Sequence, residues 1–207
     1  MNRETVLTFI QKASEIMDEN KDYLIELDAA SGDGDLGLTM SKGFAAGKDA
    51  ALASTETDLG KLFFAIGSAM AKAAPSTMGT LMASGFIKAA KSFKGKTDLE
   101  PADFAAFTQL YYSGIQERGK ANPGERTLLD SLYPAANTVA AAVEAGETDF
   151  HALADIAYKA ALEGVEATKT MIAMHGKTVV HRAKLNGVPD QGAIVGSLFY
   201  KAWSETL

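Results

Sequence analysis

Residues 59–73 have the sequence LGKLFFAIGSAMAKA, with apolar side chains at helical spacing. The apolar positions recur every three or four residues, which is the period of one face of an α-helix and not of a strand. The residues on this face are Leu59, Leu62, Phe63, Ile66, Ala69, Met70 and Ala73. The stretch therefore predicts an amphipathic helix that packs against a core.

The same spacing continues in both directions along the chain. Runs of alternating β-branched residues with hairpin turns are missing, and abundant alanine favours helix. The sequence predicts an all-α fold of about eight helices without a sheet. Pro101 suits a first helical turn, whereas Pro134 falls inside an apolar stripe and is expected to kink or interrupt its helix. The further stripes lie in residues 6–17, 104–111, 129–143, 153–160 and 194–203, and two more helices are expected to begin near Leu38 and after residues 75–80.

Length and composition narrow the class of protein. The chain has 207 residues, enough for a substantial core, and we expect residues 1–207 to form one domain. Cysteine is absent, which excludes disulfides and cysteine-ligated zinc. The start lacks the apolar core of a signal peptide and no apolar run reaches a membrane span, so we expect a cytoplasmic protein. A formal net charge of -6 argues against nucleic acid or a membrane as a partner.

Polar loops interrupt the helices, and the first of them, DAASGDGDLG at residues 28–37, carries three aspartates among glycines. Carboxylates this close repel one another, and a shared divalent cation would relieve the repulsion. Oxygen ligands favour magnesium, calcium or manganese. An EF-hand calcium site fails on spacing because, counted from Asp33, Phe44 stands where a bidentate glutamate belongs. The alternative is a solvated turn in which Asp33 or Asp35 caps the next helix.

The other loops, at residues 74–80, 119–127 and 175–192, have features that suit an anion. Residues 75–80 precede a helix whose free N–H groups could bind a phosphate, although a plain Ser/Thr cap would look the same. Neither a P-loop nor a Rossmann glycine motif is present, so a nucleotide would need another scaffold. Arg118, Lys120 and Arg126 concentrate positive charge around the loop at residues 119–127, and Lys177 adds a further cation in the long loop before the last helix.

The loops contain three motifs that follow one another along the chain: Asp28-x4-Asp33-x-Asp35-x-Gly37 with Met40 and Gly43-Phe44, Arg118-Gly-Lys-Ala-x-Pro-Gly with Thr127 and Asp130, and Asp190-x-Gly192-Ala193. Together they resemble the L subunit of bacterial dihydroxyacetone kinases, with similarity over essentially the whole chain. The resemblance implies a closed, barrel-like bundle of eight antiparallel helices, with ADP or ATP at its rim. It also implies two Mg²⁺ ions that join the nucleotide phosphates to the aspartates.

The resemblance further implies a set of site residues. The metal ligands would be Asp28, Asp33 and Asp35. The nucleotide contacts would be Leu36, Gly37, Leu38, Thr39, Ser76, Thr77, Met78, Gly119, Leu128, Lys177, Asp190, Gln191 and Gly192. The chain departs from the family at several of these positions, since members commonly have histidine in place of Leu36, asparagine in place of Thr39, arginine in place of Lys177 and Gly-Gly-Ala-Ser at residues 75–78.

The resemblance leads to the hypothesis that the chain is the nucleotide-binding subunit of a phosphoenolpyruvate-dependent dihydroxyacetone kinase. A partner K subunit would hold dihydroxyacetone or a related small hydroxyketone, and an M subunit would donate phosphate from a phosphohistidine. A homodimer is compatible with this hypothesis. The altered residues Leu36 and Thr39 motivate an alternative, a regulatory or adaptor subunit that binds nucleotide without transferring phosphate. A third interpretation is the nucleotide domain of a fatty-acid kinase, whose chains are normally much longer.

Overall fold

The computed structural model describes residues 1–30, 32–176, 179–180 and 185–207. In this part of the chain the predicted all-α fold is confirmed, and strand-type pairing is limited to an isolated bridge between Asn2 and Asp98. The α-helices are α1 (Arg3–Glu19), α2 (Lys21–Ala29), α3 (Leu36–Ala53), α4 (Leu59–Ala73), α5 (Thr77–Ser92), α6 (Pro101–Gly119), α7 (Leu129–Glu144), α8 (Phe150–Thr168) and α9 (Gln191–Ser204).

Eight of the helices pack side by side in a closed ring. From α3 to α9 each helix contacts the next one along the chain, α9 contacts α1, and α1 contacts α3. Successive neighbours in a helical bundle generally run antiparallel. The remaining helix, α2, packs mainly on α3. The barrel-like bundle is therefore present, with α2 as an additional helix that the sequence did not predict.

Aromatic side chains fill the inside of the ring. The Phe9 ring stacks on Trp203 with centroids 3.7 Å apart, and Tyr111 stacks on Phe199 at 4.2 Å. These side chains come from α1, α6 and α9 and are fully buried. Further phenylalanines extend the cluster to α4 and α5. Because this interior is closely packed, a polar ligand is expected at an end of the barrel.

Both proline predictions concern helix geometry. Pro101 is the first residue of α6, as predicted. Pro134 lies inside α7 without interrupting it. Proline has no N–H to donate to the Asp130 carbonyl one turn earlier. That carbonyl lies against Gly164 of α8, where an added Cβ would be only 2.0 Å from the oxygen. The helix is therefore not interrupted, and a kink at Pro134 stays a prediction.

The short helix α2 has a weak sequence signal because Leu24 and Asp28 are its buried residues. Its last turn carries Asp28, which the sequence had placed in a loop. None of the described helices combines the length and the apolar composition that crossing a membrane demands.

Candidate metal and nucleotide site

The described residues of the polar loops lie at one end of the barrel, around the starts of several helices. Gln191, the first residue of α9, donates from Nε2 to Asp28 Oδ1 at 3.3 Å and so joins the start of α9 to the end of α2. The start of α9 also touches the start of α7, since a Cβ added to Gly192 would lie 3.1 Å from the Leu128 nitrogen.

Contacts on the other side of this end complete the arrangement. The end of α6 meets α5, because a Cβ on Gly119 would lie 3.0 Å from Leu81 Cδ2. The α4–α5 connection meets α3, because a Cβ on Gly43 would lie 3.3 Å from the Ala74 Cβ. The predicted site residues in the described part of the chain therefore share one rim, whereas Lys177 lies outside the described residues.

Three carboxylates form a cluster on this rim. Asp28, Asp33 and Asp35 each offer an oxygen, and these oxygens all lie within 4.8 Å of one another. Asp28 is buried, while Asp33 and Asp35 are exposed. The cluster thus combines one fixed ligand with two that face solvent, which suits a cation bound at the surface.

The surroundings of Asp28 hold its carboxylate in place. Its Oδ2 accepts a hydrogen bond from the Asp35 backbone nitrogen at 3.1 Å, and its Oδ1 accepts the one from Gln191. A Cβ at Gly32 would lie 2.3 Å from Asp28 Oδ1. Glycine at position 32 therefore leaves the space that the carboxylate occupies, and Gly34, at φ 72°, makes the turn that returns the chain to α3.

Asp35 does not cap α3 with its side chain, although it is the residue before the helix. Among the described residues, the hydrogen bonds of this turn use the Asp35 backbone instead, with Thr39 N donating to Asp35 O at 2.9 Å. The capped-turn alternative predicted a side-chain bond for one of the two exposed aspartates, and Asp35 lacks it. The Asp35 carboxylate instead lies beside those of Asp28 and Asp33 in the cluster.

The first turn of α3 contains four of the predicted nucleotide contacts. Leu36 is 3% exposed and belongs to the core, whereas Leu38 is 57% exposed. Gly37 packs so closely on α2 that a Cβ would lie 2.0 Å from the Lys21 carbonyl oxygen. The side chain of Leu36 is therefore not available to a ligand, and a contact at this position would use the backbone N–H.

The first turn of α5 contains three more predicted contacts. Ser76 caps the helix, accepting a hydrogen bond from Gly79 N at 3.1 Å. Thr77 is exposed and Met78 is half-buried. The plain Ser/Thr cap considered from the sequence is therefore present, and the N–H groups of the same turn remain at the rim.

The remaining described contacts lie where α6 ends and where α7 and α9 begin. Gly119 is exposed, while Leu128 is 3% exposed, so Leu128 could contact a ligand only through its backbone. Asp190 caps α9 by accepting a hydrogen bond from Ala193 N at 2.9 Å. Its burial raises the pKa of this carboxyl to about 6, although the Ala193 hydrogen bond and the charge of Arg126 oppose the increase.

Arg126 corrects a sequence-based interpretation. The sequence placed it with Arg118 and Lys120 among the cations that could bind a phosphate, but its side chain is 2% exposed. Nε donates to the Thr168 carbonyl at 3.1 Å, and Nη2 donates to the carbonyls of Leu185 and Val188. Arg126 thus donates to backbone carbonyls from Nε and Nη2, while its buried Nη1 has no hydrogen-bond partner among the described residues. Arg118 and Lys120 are exposed.

Two polar residues of this end were not recognised from the sequence. Thr168 Oγ1 accepts a hydrogen bond from Asp190 N at 2.9 Å, just before α9. Glu125 pairs with His175 and so connects the α6–α7 loop with the residues after α8. The hydrogen bond from the Asn122 N–H lowers the pKa of Glu125 most, and the hydrogen bond with His175 lowers it further. Single polar residues carry no sequence signal for such distant contacts.

Comparisons with known proteins identify the family of the chain. A model of the DAK2 domain family matches residues 30–205. Over 205 residues the chain is 27% identical to the ADP-binding subunit DhaL of PEP-dependent dihydroxyacetone kinase 1 from Listeria innocua, with 99% of this chain and 97% of the relative covered. It is 34% identical over 193 residues to triokinase/FMN cyclase of Bos taurus, covering 90% of this chain but 32% of that protein.

A solved structure shares the fold. The dihydroxyacetone kinase of C. freundii, in complex with AMP-PNP and Mg²⁺, aligns with a TM-score of 0.74 and 22% identity, over 98% of this chain and 34% of that one. The chain thus spans about a third of the C. freundii kinase. Since the family match runs from the carboxylate loop through α9, the chain belongs to the DAK2 domain family.

Proposed function

We propose that this protein is the nucleotide-binding subunit of a dihydroxyacetone-type kinase. It would transfer a phosphoryl group from a magnesium-bound nucleotide to dihydroxyacetone or a related small hydroxyketone. The observation that carries the proposal is the cluster of Asp28, Asp33 and Asp35, with oxygens within 4.8 Å of one another on the rim of the barrel. Similarity to a relative named as an ADP-binding DhaL subunit supports it.

The residues of the cluster fit magnesium. The ligands are all oxygens, which hard divalent cations prefer, and two of the three carboxylates face solvent, where Mg²⁺ can keep part of its water. The space at Gly32 and the two hydrogen bonds to Asp28 hold one ligand ready. We propose two Mg²⁺ ions here, which when bound would offset the negative charge of the nucleotide phosphates.

The chain itself would bind and orient the nucleotide. The starts of α3, α5 and α9 supply N–H groups and partial positive charge at one end of the barrel, which suits phosphates. We propose that residues 36–39, 76–78 and 190–192 contact the phosphate-bearing part through such groups. Gly119 and Leu128 would contact the rest of the nucleotide, and Lys177 would add a positive charge.

Relatives of two kinds guide the proposal of partner subunits. DhaL relatives of Listeria innocua and Escherichia coli are covered over 97% and 91% of their length, and their names describe PEP-dependent kinases. Triokinase/FMN cyclase is covered over only 32% of its length. We therefore propose the PEP-dependent type in the cytoplasm, in which a K subunit holds the hydroxyketone and an M subunit rephosphorylates ADP.

The test is to purify the protein without added nucleotide, denature it by heat and chromatograph the supernatant. ADP is expected in an amount near that of the protein, because two metals shared by phosphates and three aspartates would slow release. Addition of K and M subunits with phosphoenolpyruvate should then phosphorylate dihydroxyacetone. A protein that neither carries nor binds ADP in magnesium buffer would contradict the proposal.

A regulatory or adaptor function is the second candidate, because Leu36 gives α3 a buried apolar side chain where the resembling family commonly has histidine. In that case ADP would bind, but the reconstituted mixture would produce no dihydroxyacetone phosphate. The same pair of measurements therefore separates the two functions.

A further inference from the structure

The start of α9 is held by one side chain from a different loop. Arg126 lies in the α6–α7 loop, and its guanidinium donates to Thr168 O at the end of α8 at 3.1 Å and to Val188 O at 2.8 Å. A weaker bond reaches Leu185 O at 3.4 Å. One planar group thus joins the end of α8 to the residues that lead into α9, which a lysine ammonium could not do with the same geometry.

The backbone at Arg126 is unfavourable by itself. Arg126 has φ 60°, in the left-handed region that side chains other than glycine rarely adopt. The loop around it is fixed by the buried Asp130 carboxylate, which accepts hydrogen bonds from Gly124 N and Thr127 N. A residue in this conformation persists where its surroundings require it, and here the side chain supplies the requirement.

A short, stiff connection leads from Arg126 to the metal cluster. Pro189 and Asp190 separate the Val188 carbonyl from Gln191, and proline restricts the backbone between them. Asp190 is held as well, because its nitrogen donates to Thr168 Oγ1 at 2.9 Å. Gln191 then donates to Asp28 Oδ1 at 3.3 Å. The orientation of a proposed metal ligand therefore depends on where α9 begins.

We propose that Arg126 is a positioning residue of the metal site, which sets the start of α9 so that Gln191 holds Asp28 in its ligand orientation. This inference rests on the proposed function, in that the three aspartates bind the metal. In this proposal Arg126 acts on the metal site through α9 and does not itself bind a phosphate. Hydrogen-bond partners of metal ligands commonly change metal affinity on the order of 10- to 100-fold when removed.

The test measures binding of Mn²⁺ alone, by electron paramagnetic resonance at 25 °C, to protein freed of metal with a chelator. Arg126→Lys and Gln191→Ala should each weaken Mn²⁺ binding about tenfold. The double variant should bind no more weakly than the weaker single variant, because both substitutions interrupt the same connection. A residue that only supported the fold would lower the melting temperature and leave the affinity of the folded protein unchanged.

Arg3→Lys is the matched control. Arg3 also donates to two backbone carbonyls, those of Ser54 at 2.7 Å and Glu56 at 3.1 Å, but at the other end of α3. Its replacement should leave Mn²⁺ affinity unchanged. If Arg126→Lys does not fold, Thr168→Val takes its place, because it removes the acceptor for Asp190 N and should weaken Mn²⁺ binding in the same way.

Each outcome decides a different statement. Wild-type affinity in folded Arg126→Lys, or in Thr168→Val used in its place, overturns the positioning role. Losses that multiply in the double variant also overturn it, because Arg126 would then act by a route other than Gln191. Absence of Mn²⁺ binding in the wild type, or equal binding in Asp33→Asn, overturns the proposed function and this inference with it.

Discussion

Replacing Asp33 with asparagine should stabilise the metal-free protein and prevent its stabilisation by magnesium. Two unit charges 4.8 Å apart, the upper limit within the cluster, repel by about 1 kcal/mol in water and about 3.5 kcal/mol near a protein surface. Asp33 and Asp35 are exposed, so we use the lower value. Asp33→Asn removes two of the three pairwise repulsions, about 2 kcal/mol, which corresponds to a melting temperature about 4 to 8 °C higher in a chain of this size.

Magnesium should reverse the order. At a concentration 100 times the dissociation constant, a ligand of the folded state adds about 2.7 kcal/mol to the free energy of unfolding. The wild type should therefore melt above Asp33→Asn in magnesium and below it in chelator. Differential scanning calorimetry under both conditions measures this crossing. At high salt the difference in chelator should shrink, because screening weakens repulsion between exposed charges.

Glu26→Gln is the control, because it removes one acidic charge near the cluster, from α2, without removing a carboxylate of the cluster. Glu26 is exposed and lies two residues before Asp28, about 200° around the helix. It should change neither the melting temperature in chelator nor the response to magnesium by a comparable amount. If Asp33→Asn melts below the wild type in chelator and gains as much from magnesium, the carboxylates do not share a cation and the reasoning is refuted.

Three further predictions concern packing, pH and activity. Gly164→Ala should lower the free energy of unfolding in urea by about 1 to 3 kcal/mol, because its Cβ would lie 2.0 Å from the Asp130 carbonyl oxygen. Gly43→Ala should lower it little, because its Cβ would face only the Ala74 Cβ at 3.3 Å. Equal losses in the two variants would contradict the packing argument. Burial raises the pKa of Asp190 from 3.8 to about 6. The contribution of its protonated form to stability is therefore complete below pH 4 and is lost as the pH rises through 6. Between pH 5 and 7.5 the free energy of unfolding in urea should fall by about 1 kcal/mol more in the wild type than in Asp190→Asn, and an equal fall in both proteins would refute the assignment. The purified chain alone should not phosphorylate dihydroxyacetone in a coupled assay with ATP and magnesium, and turnover would mean that the hydroxyketone binds to this chain.

The local pattern of the sequence was sufficient for most of the helices. Stripes such as residues 59–73 place apolar side chains on one face, and the closed ring buries those faces together. The pattern failed for α2, where only Leu24 and Asp28 are buried, because nine residues hold too few turns for a clear period. Of the two alternatives that it left for Pro134, interruption of the helix is excluded, because α7 continues through this residue.

The chemistry of the site was partly visible in the sequence. Three aspartates within eight residues predicted a cluster of carboxylates, and the structure brings their oxygens together. Charge alone misled for Arg126, because a cation in a glycine-containing loop suggests an anion site unless its burial is known. Its 2% exposure and its backbone carbonyl partners follow from the packing of the loops, which no local window of sequence contains.

The contact that fixes the cluster joins the two ends of the chain. Asp28 and Gln191 are 163 residues apart and meet because α9 closes the ring beside α1, with α2 carried on α3. A local motif can therefore provide the ligands while the closed barrel provides their orientation. It follows that substitutions at the start of α9 should affect metal binding even though α9 carries none of the three clustered carboxylates, and that the aspartate motif on a chain without a closed ring would lack the hydrogen bond from Gln191 that holds Asp28.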